Sequence, residues 1–226
     1  MIQAVIFDMD GVIIDSEPFW RKAIPEVLSA AGIRLNSAQA MQTTGLRVDE
    51  VVQYWYERYS LTDPPPEIIS RNITGRVIEY IKHEGELMEG LESAVNLFRK
   101  HSLPLALASS SDYILIDAVV DTFDIRSYFD VIHSAEQEQY GKPHPAVYLT
   151  AAGKLGVQPA ACLAIEDSLA GVTAAKAARM ACIAKPEHYP DFDKGFYMAD
   201  RIVGSLREIN EDVLREIEVV REEKGI

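Results

Sequence analysis

The stretch Ile2-Gln-Ala-Val-Ile-Phe-Asp-Met-Asp-Gly11 decides how the rest of the chain is read. Ile2 to Phe7 is a short, mostly apolar run, and it stops at two aspartates and a glycine. A run of this length reads as a strand buried on both faces, as in a parallel sheet. Four similar runs follow: Leu103 to Ala108, Val131-Ile132 with its flanks, Cys162 to Ile165, and Met180 to Ala184. Ile202-Val203 is a short sixth candidate. Helical patterns lie between them. Leu91, Val95, Leu97 and Phe98 share one apolar face; Ile114, Ile116, Ala118, Val119, Val120 and Phe123 share another. Val147, Tyr148, Ala151, Ala152 and Leu155 form a third, and Ala170 to Ala178 is alanine-rich. Strands alternating with helices predict an α/β fold, a Rossmann-like parallel sheet with helices on both faces.

One segment breaks the alternation. From about Ser16 to Glu84 the pattern is helix after helix: Phe19 to Ala30, Ser37 to Thr43, Val48 to Tyr59, and Glu67 to His83. Asp63-Pro-Pro-Pro66 precedes the last, where a helix start tolerates proline. The expected organisation is an α/β core of residues 1–15 and 85–226 with an all-helical cap domain, 16–84, inserted after the first strand. At the other end, Leu206, Ile209, Val213, Ile217 and Val220 are spaced by three and four. This predicts one amphipathic helix over Leu206 to Val220, docked on the core.

Composition sets outer limits. The chain has 226 residues, with 22 Lys+Arg against 35 Asp+Glu and a formal net charge of −13. That balance argues against nucleic acid or an anionic membrane surface as partner. It leaves room for a small anionic substrate in a locally positive site. The chain is long enough to bury a sizeable core without disulfides. Cys162 and Cys182 both lie in apolar runs and read as buried small hydrophobes. No apolar run approaches the roughly 20 residues that span a membrane. The first residues lack the basic segment and small-residue cleavage site of a signal peptide, so a cytoplasmic location is expected. Nothing beyond a monomer is required.

In an open parallel sheet, ligands bind past the carboxyl ends of the strands. Asp8, Asp10 and Gly11 follow the first strand. Ser109, Ser110 and Ser111 follow the second; Lys142, in Gly-Lys-Pro-His-Pro, comes after the third; Glu166 and Asp167 follow the fourth. Singly, each reads as an ordinary turn or cap residue. Together they converge. Two carboxylates two residues apart suit one nucleophile and one general acid/base. Asp167 and Glu166 add hard oxygen ligands, which suit Mg²⁺. Lys142, Ser109 and the N–H groups opening the next helix offer cation and donors to phosphate oxygens. This is the inventory of a phosphoryl-transfer site, where positioning and charge stabilisation do most of the work.

The run Phe7-Asp-Met-Asp-Gly-Val-Ile-Ile-Asp-Ser16 resembles the first motif of the haloacid dehalogenase superfamily. Ser109 matches its second motif, Lys142 its third, and Glu166-Asp167 with Ser168-Xaa-Xaa-Gly171 its fourth. Order and spacing fit along nearly the whole chain, helical cap included. Within the superfamily the chain is most similar to the β-phosphoglucomutase-like sugar phosphatases, and to the hexitol-phosphate and 2-deoxyglucose-6-phosphate phosphatases among them. The resemblance implies that Asp8 attacks phosphorus and that Asp10 protonates the leaving alcohol and then activates water. It implies Mg²⁺ held by the Asp8 carboxylate, the Asp10 carbonyl and Asp167, with Glu166 in or near the shell. Ser109, Ser110 and Lys142 would bind phosphate. The substrate would be a small phosphorylated sugar or sugar alcohol lying under the cap. In Thr44-Gly-Leu-Arg47, Arg47 is the expected substrate contact, joined by Ser111. Trp20 and Trp55 are open to two readings, facing the cavity or packing the cap's own core, of which packing is preferred; His144, between two prolines, reads as structural.

Other readings remain. A dehalogenase needs neither Mg²⁺ nor an acid at position 10. A phosphonate hydrolase of the same superfamily wants a Schiff-base lysine in the cap, where Lys22 and Lys82 stand. A β-phosphoglucomutase is the main rival. In true mutases a histidine ten residues past the second aspartate helps control proton transfer; here that position is Trp20. The arginine that holds a second phosphate would fall near Val48 rather than Arg47. A non-catalytic sugar-phosphate sensor has no need of both Asp8 and Asp10. A response-regulator receiver carries its phosphorylated aspartate after the third strand, not the first.

Overall fold

The computed structural model describes residues 1–36, 39, 41–43 and 46–223. Six strands form one sheet: β1 (Ala4–Phe7), β2 (Leu105–Ser109), β3 (Val131–Ser134), β4 (Cys162–Glu166), β5 (Ala181–Ala184) and β6 (Arg201–Ile202). Every neighbouring pair is parallel, in the order β3-β2-β1-β4-β5-β6. The fold is Rossmann-like, as expected. Phe7 lies opposite Leu107 on one side and Ile165 on the other. That register brings the residues just past β1, β2 and β4 out along one rim. Strand order reverses at β1, where a sheet of this kind leaves its crevice.

Alternation along the strands builds two cores. Val5, Phe7, Leu105, Leu107, Leu163 and Ile165 face one side. There they meet α4 (Leu91–Lys100), α5 (Tyr113–Thr122) and α8 (Glu211–Glu223) through residues such as Phe98, Val119 and Ile217. Ala4, Ile6, Ala106, Ala108, Ala164 and Cys182 face the other. Their small side chains let α6 (Ala146–Leu155) and α7 (Leu169–Ala177) lie close to the sheet. Cys162 and Cys182 are buried free thiols, as their apolar surroundings predict.

Helices α1 (Glu17–Ala30), α2 (Val48–Tyr59) and α3 (Pro66–Glu84) fill the segment between β1 and α4. They pack on one another around Phe19, Val52, Trp55, Ile73 and Val77. Trp55 is fully buried among them, the packing role its sequence position suggests. The two ends of the insertion are tied together: Met88 N–H donates to the Ile13 carbonyl (2.9 Å) and Asp15 N–H to that of Glu86 (3.3 Å). Helix α3 leans on α5. In the expected helix Ser37–Thr43, Met41–Thr43 forms a single 3-10 turn; Ser37, Ala38 and Ala40 lie outside the described residues.

The expected helix over Leu206 to Val220 is broken in two. Leu206–Glu208 is a 3-10 turn, and α8 begins only at Glu211. The apolar spacing runs through the break, but the caps decide it. Glu208 Oε1 accepts from Ser205 N–H (3.0 Å), and Asn210 Oδ1 accepts from the N–H groups of Asp212 (3.0 Å) and Val213 (3.1 Å). Caps of this kind are each worth about 1 kcal/mol, enough to stop and restart a helix at the surface. No helix among the described residues is long and apolar enough to cross a membrane.

Candidate active site

The turn after β1 puts two carboxylates into the crevice. Met9 C=O accepts from the N–H groups of Val12, Ile13 and Ile14, so the chain folds back within one turn. Gly11 allows it, with φ +71°. A Cβ there would also stand 1.9 Å from Asp167 Oδ2, so the missing side chain makes room for that carboxylate. Glycine is needed at this position on both counts.

Asp8 and Asp10 have different partners. Asp8, 6% exposed, accepts on Oδ1 from Lys142 Nζ at 2.6 Å. Asp10 is surrounded by neutral donors. Its Oδ1 accepts from Ser16 Oγ (2.5 Å) and Trp20 Nε1 (3.1 Å). Its Oδ2 accepts from Ser111 Oγ (2.8 Å), with Ser109 Oγ at 3.5 Å. The serine row after β2 is itself ordered: Ser111 N–H donates to Ser109 Oγ (3.0 Å), and Ser134 Oγ donates to the Ser111 carbonyl (2.6 Å). Ser110, between them, is half-buried.

Glu166, at the end of β4, is fully buried and anchors the other side. Its Oε1 accepts from Lys142 Nζ (2.6 Å) and Tyr148 Oη (2.5 Å). Its Oε2 accepts from Asp167 N–H, Ser168 N–H and Ser168 Oγ at 3.1, 3.2 and 3.1 Å. Five donors occupy this carboxylate, so its clearest task is to hold Lys142 against Asp8. Gly171 makes this possible, because a Cβ there would lie 1.8 Å from Glu166 Oε1. The Tyr148 ring lies under Lys142 Nζ, 5.0 Å from its centroid.

The electrostatics reflect a shortage of positive charge. Burial, aided by the nearby Glu166 and Asp10 carboxylates, pushes Asp8 up to about 8 despite Lys142. Burial and the charges of Glu166 and Asp8 push Asp167 well above the carboxylate range. For Lys142 burial acts downward, but Asp8 and Glu166 overcome it and hold the amine protonated. Lys185, just past β5, donates to the Gly11 carbonyl (3.0 Å) and is pulled down by burial. Asp8, Glu166 and Asp167 offer oxygens within 4.8 Å of one another. Crowded carboxylates that resist ionisation, all hard oxygen donors, fit a divalent cation.

The contacts above bring Asp8, Asp10, Ser109, Ser111, Lys142, Glu166 and Asp167 together at one rim, and Ser110 follows β2 between two of them. Arg47 lies at the border between α2 and the loop after β3. Its guanidinium donates to the carbonyls of Ala135 (3.2 Å) and Glu138 (3.3 Å) and pairs with Asp49, and its stem covers Gly141, next to Lys142. Thr44 and Gly45 of its loop lie outside the described residues. His144 is exposed, and its Nδ1 accepts from Ala146 N–H at 3.3 Å, a local turn contact. Sequence reasoning missed Tyr148, Ser16 and Lys185. For Trp20 it preferred packing over a place facing the cavity, whereas the indole bonds Asp10. The one signal for Tyr148 was a hydroxyl on an otherwise apolar helix face.

The model of the haloacid dehalogenase-like hydrolases matches residues 2–179. The chain belongs to that family. Its members include relatives along nearly the full length. Hexitol phosphatase B of Escherichia coli (strain K12) is 40% identical over 209 residues, covering 92% of this chain and 94% of that protein. Fructose-1-phosphate phosphatase YqaB of the same strain is 30% identical over 176 residues, 78% of this chain and 92% of that one. Among solved structures, CbbY from Rhodobacter sphaeroides in complex with phosphate superposes with a TM-score of 0.83 at 28% identity, covering 95% of this chain and 100% of that chain. The similarity extends over the inserted helices as well as the sheet.

Proposed function

We propose that this hydrolase is a Mg²⁺-dependent phosphatase acting on small sugar or sugar-alcohol phosphates, of the hexose or hexitol 6-phosphate type, through an aspartyl-phosphate. The observation that carries the reading is the contrast between the surroundings of Asp8 and Asp10. One carboxylate is bonded to a buried lysine, the other, among the described residues, only to neutral donors, and both leave the same strand end. Two carboxyl groups in contrasting surroundings are what a nucleophile and an acid/base require. The similarity to hexitol phosphatase B supports the substrate class.

A carboxylate oxygen of Asp8 attacks phosphorus; the ester P–O bond breaks, and its electron pair goes to the sugar oxygen. Asp10 supplies the proton for that oxygen. The sugar leaves, and Asp10 then takes a proton from water as its oxygen attacks phosphorus. The bond to Asp8 breaks, releasing inorganic phosphate. Lys142 and the Ser109–Ser111 row bind the phosphoryl oxygens, and Glu166 keeps Lys142 in place. Asp8, Asp167 and the Asp10 carbonyl would hold Mg²⁺, which when bound supplies charge compensation for the carboxylates and the phosphoryl group. Residues 16–84 act as a cap over the core of 1–15 and 85–226, and exclude bulk water while the intermediate exists. Arg47, bonded to the loop that leads to Lys142, is placed at the rim of the sugar site.

Phosphate release tests this directly, with Mg²⁺ and with EDTA, across phosphorylated hexoses, hexitols and pentoses plus β-glucose 1-phosphate. Mg²⁺-dependent release favouring a few 6-phosphates is expected. Conversion of β-glucose 1-phosphate to glucose 6-phosphate with little free phosphate would instead establish the mutase. No turnover of any ester would leave a sensor.

A further inference from the structure

Ser16, just before α1, and Trp20, in its first turn, both reach Asp10. Ser16 is fully buried, and its carbonyl accepts from the N–H groups of Phe19 (2.9 Å) and Trp20 (3.1 Å), which fixes the two side chains relative to each other. Both donate to the same oxygen, Oδ1. The opposite oxygen, Oδ2, turns toward Ser111 and Ser109, the side proposed to bind phosphate.

The two kinds of donor are not equivalent. A serine hydroxyl can rotate and accept, but an indole N–H only donates. A proton on Oδ1 would face the Trp20 N–H, donor against donor. A proton on Oδ2 meets hydroxyls able to turn and accept it. We infer that Trp20 is a positioning residue: its indole N–H holds Oδ1 of Asp10 and so commits Oδ2 to carrying the proton given to the leaving alcohol. The inference rests on the acid/base role proposed for Asp10. It adds a function for the inserted helices, since the Trp20 contact to Oδ1 exists only while α1 stands against the β1 turn. The same contact bears on the choice between hydrolysis and transfer, because an indole N–H neither takes up nor relays a proton.

The test is a leaving-group comparison. A sugar phosphate expels a poor leaving group that needs the proton; p-nitrophenyl phosphate expels one that does not. In both, kcat/KM reports the step that forms the phosphoenzyme. Trp20→Phe should lower kcat/KM for a hexitol 6-phosphate by about tenfold to a hundredfold, the size of losing a hydrogen bond to a charged group. With p-nitrophenyl phosphate the same variant should stay within about twofold of the parent chain, since no acid is called on. Equal losses on the two esters, or no loss on either, would overturn the inference while leaving the phosphatase intact. A parent chain that releases no phosphate from any sugar ester would instead overturn the phosphatase itself. Should the Phe variant fold poorly, benzothienylalanine at position 20 alone keeps the ring's volume and removes only the N–H. The same split between esters is expected, and its absence counts against the inference in the same way.

Discussion

Asp8 and Asp10 are separated by one residue, yet their environments have little in common. Asp8 is enclosed with Lys142 and Glu166, while Asp10 is bonded by Ser16, Trp20 and Ser111. The pH behaviour follows from the crowding around Asp8. Its folded pKa, about 8, lies above the ordinary 3.8, so the metal-free fold holds a proton that the unfolded chain gives up. The stability this provides is fully present below about 4 and is lost as pH rises through about 8. A divalent cation needs the ionised form, so its binding must displace protons from Asp8 and Asp167. Mg²⁺ affinity, measured by calorimetry between about pH 6 and about pH 8, should therefore rise by up to about tenfold per unit for each proton released. Affinity that is flat over that range, with no protons released into buffers of different ionisation heat, would show that the carboxylates are already ionised.

At the scale of elements, close approach matters more than propensity. Helix α7 is capped by Ser168, whose Oγ accepts from Gly171 N–H at 3.0 Å and donates to Glu166. Glu166 can sit there only because Gly171 has no side chain. Gly171→Ala should displace the glutamate and with it Lys142. A shift of about 1 Å in a positioning group costs roughly a hundredfold in rate, so kcat should fall by about that factor. Forcing a methyl group into a filled site should also cost about 1 to 3 kcal/mol in thermal or denaturant unfolding. A variant with parent-like kcat would show that Glu166 is not needed to place Lys142. The sequence carried the glycine and the glutamate, but their contact became visible only with α7 packed on the sheet. The same limit applies to α8. Its apolar spacing was legible, whereas the break before it depends on which of Ser205, Glu208 and Asn210 caps whose backbone.

For the whole molecule, the legible part of the sequence was what repeats. Six short apolar runs, helices between them and polar groups past the first four predicted the sheet and the rim where the site lies. The inserted helices were legible as helices for the same reason. Their relation to the site was not, because it turns on side chains that meet across the fold. Trp20 resembled a packing residue, since nothing in an isolated helix shows that its indole N–H faces Asp10. Arg47 resembled a substrate ligand, and its bonds to Ala135 and Glu138 bridge segments far apart in the chain. Tyr148 was one of several apolar-face positions until Glu166 gave its hydroxyl a partner.

In the proposed reaction Asp8 carries the phosphoryl group between two half-reactions that both use Asp10. The most direct test uses Asp10→Asn with Mg²⁺ and p-nitrophenyl phosphate, whose leaving group needs no acid, followed by acid quenching and peptide mass spectrometry. One phosphoryl group on Asp8 per chain, forming with a burst of nitrophenol and then hardly hydrolysing, is the predicted result. Turnover at the parent rate with no phosphorylated peptide, or the phosphoryl group on any other residue, would contradict it.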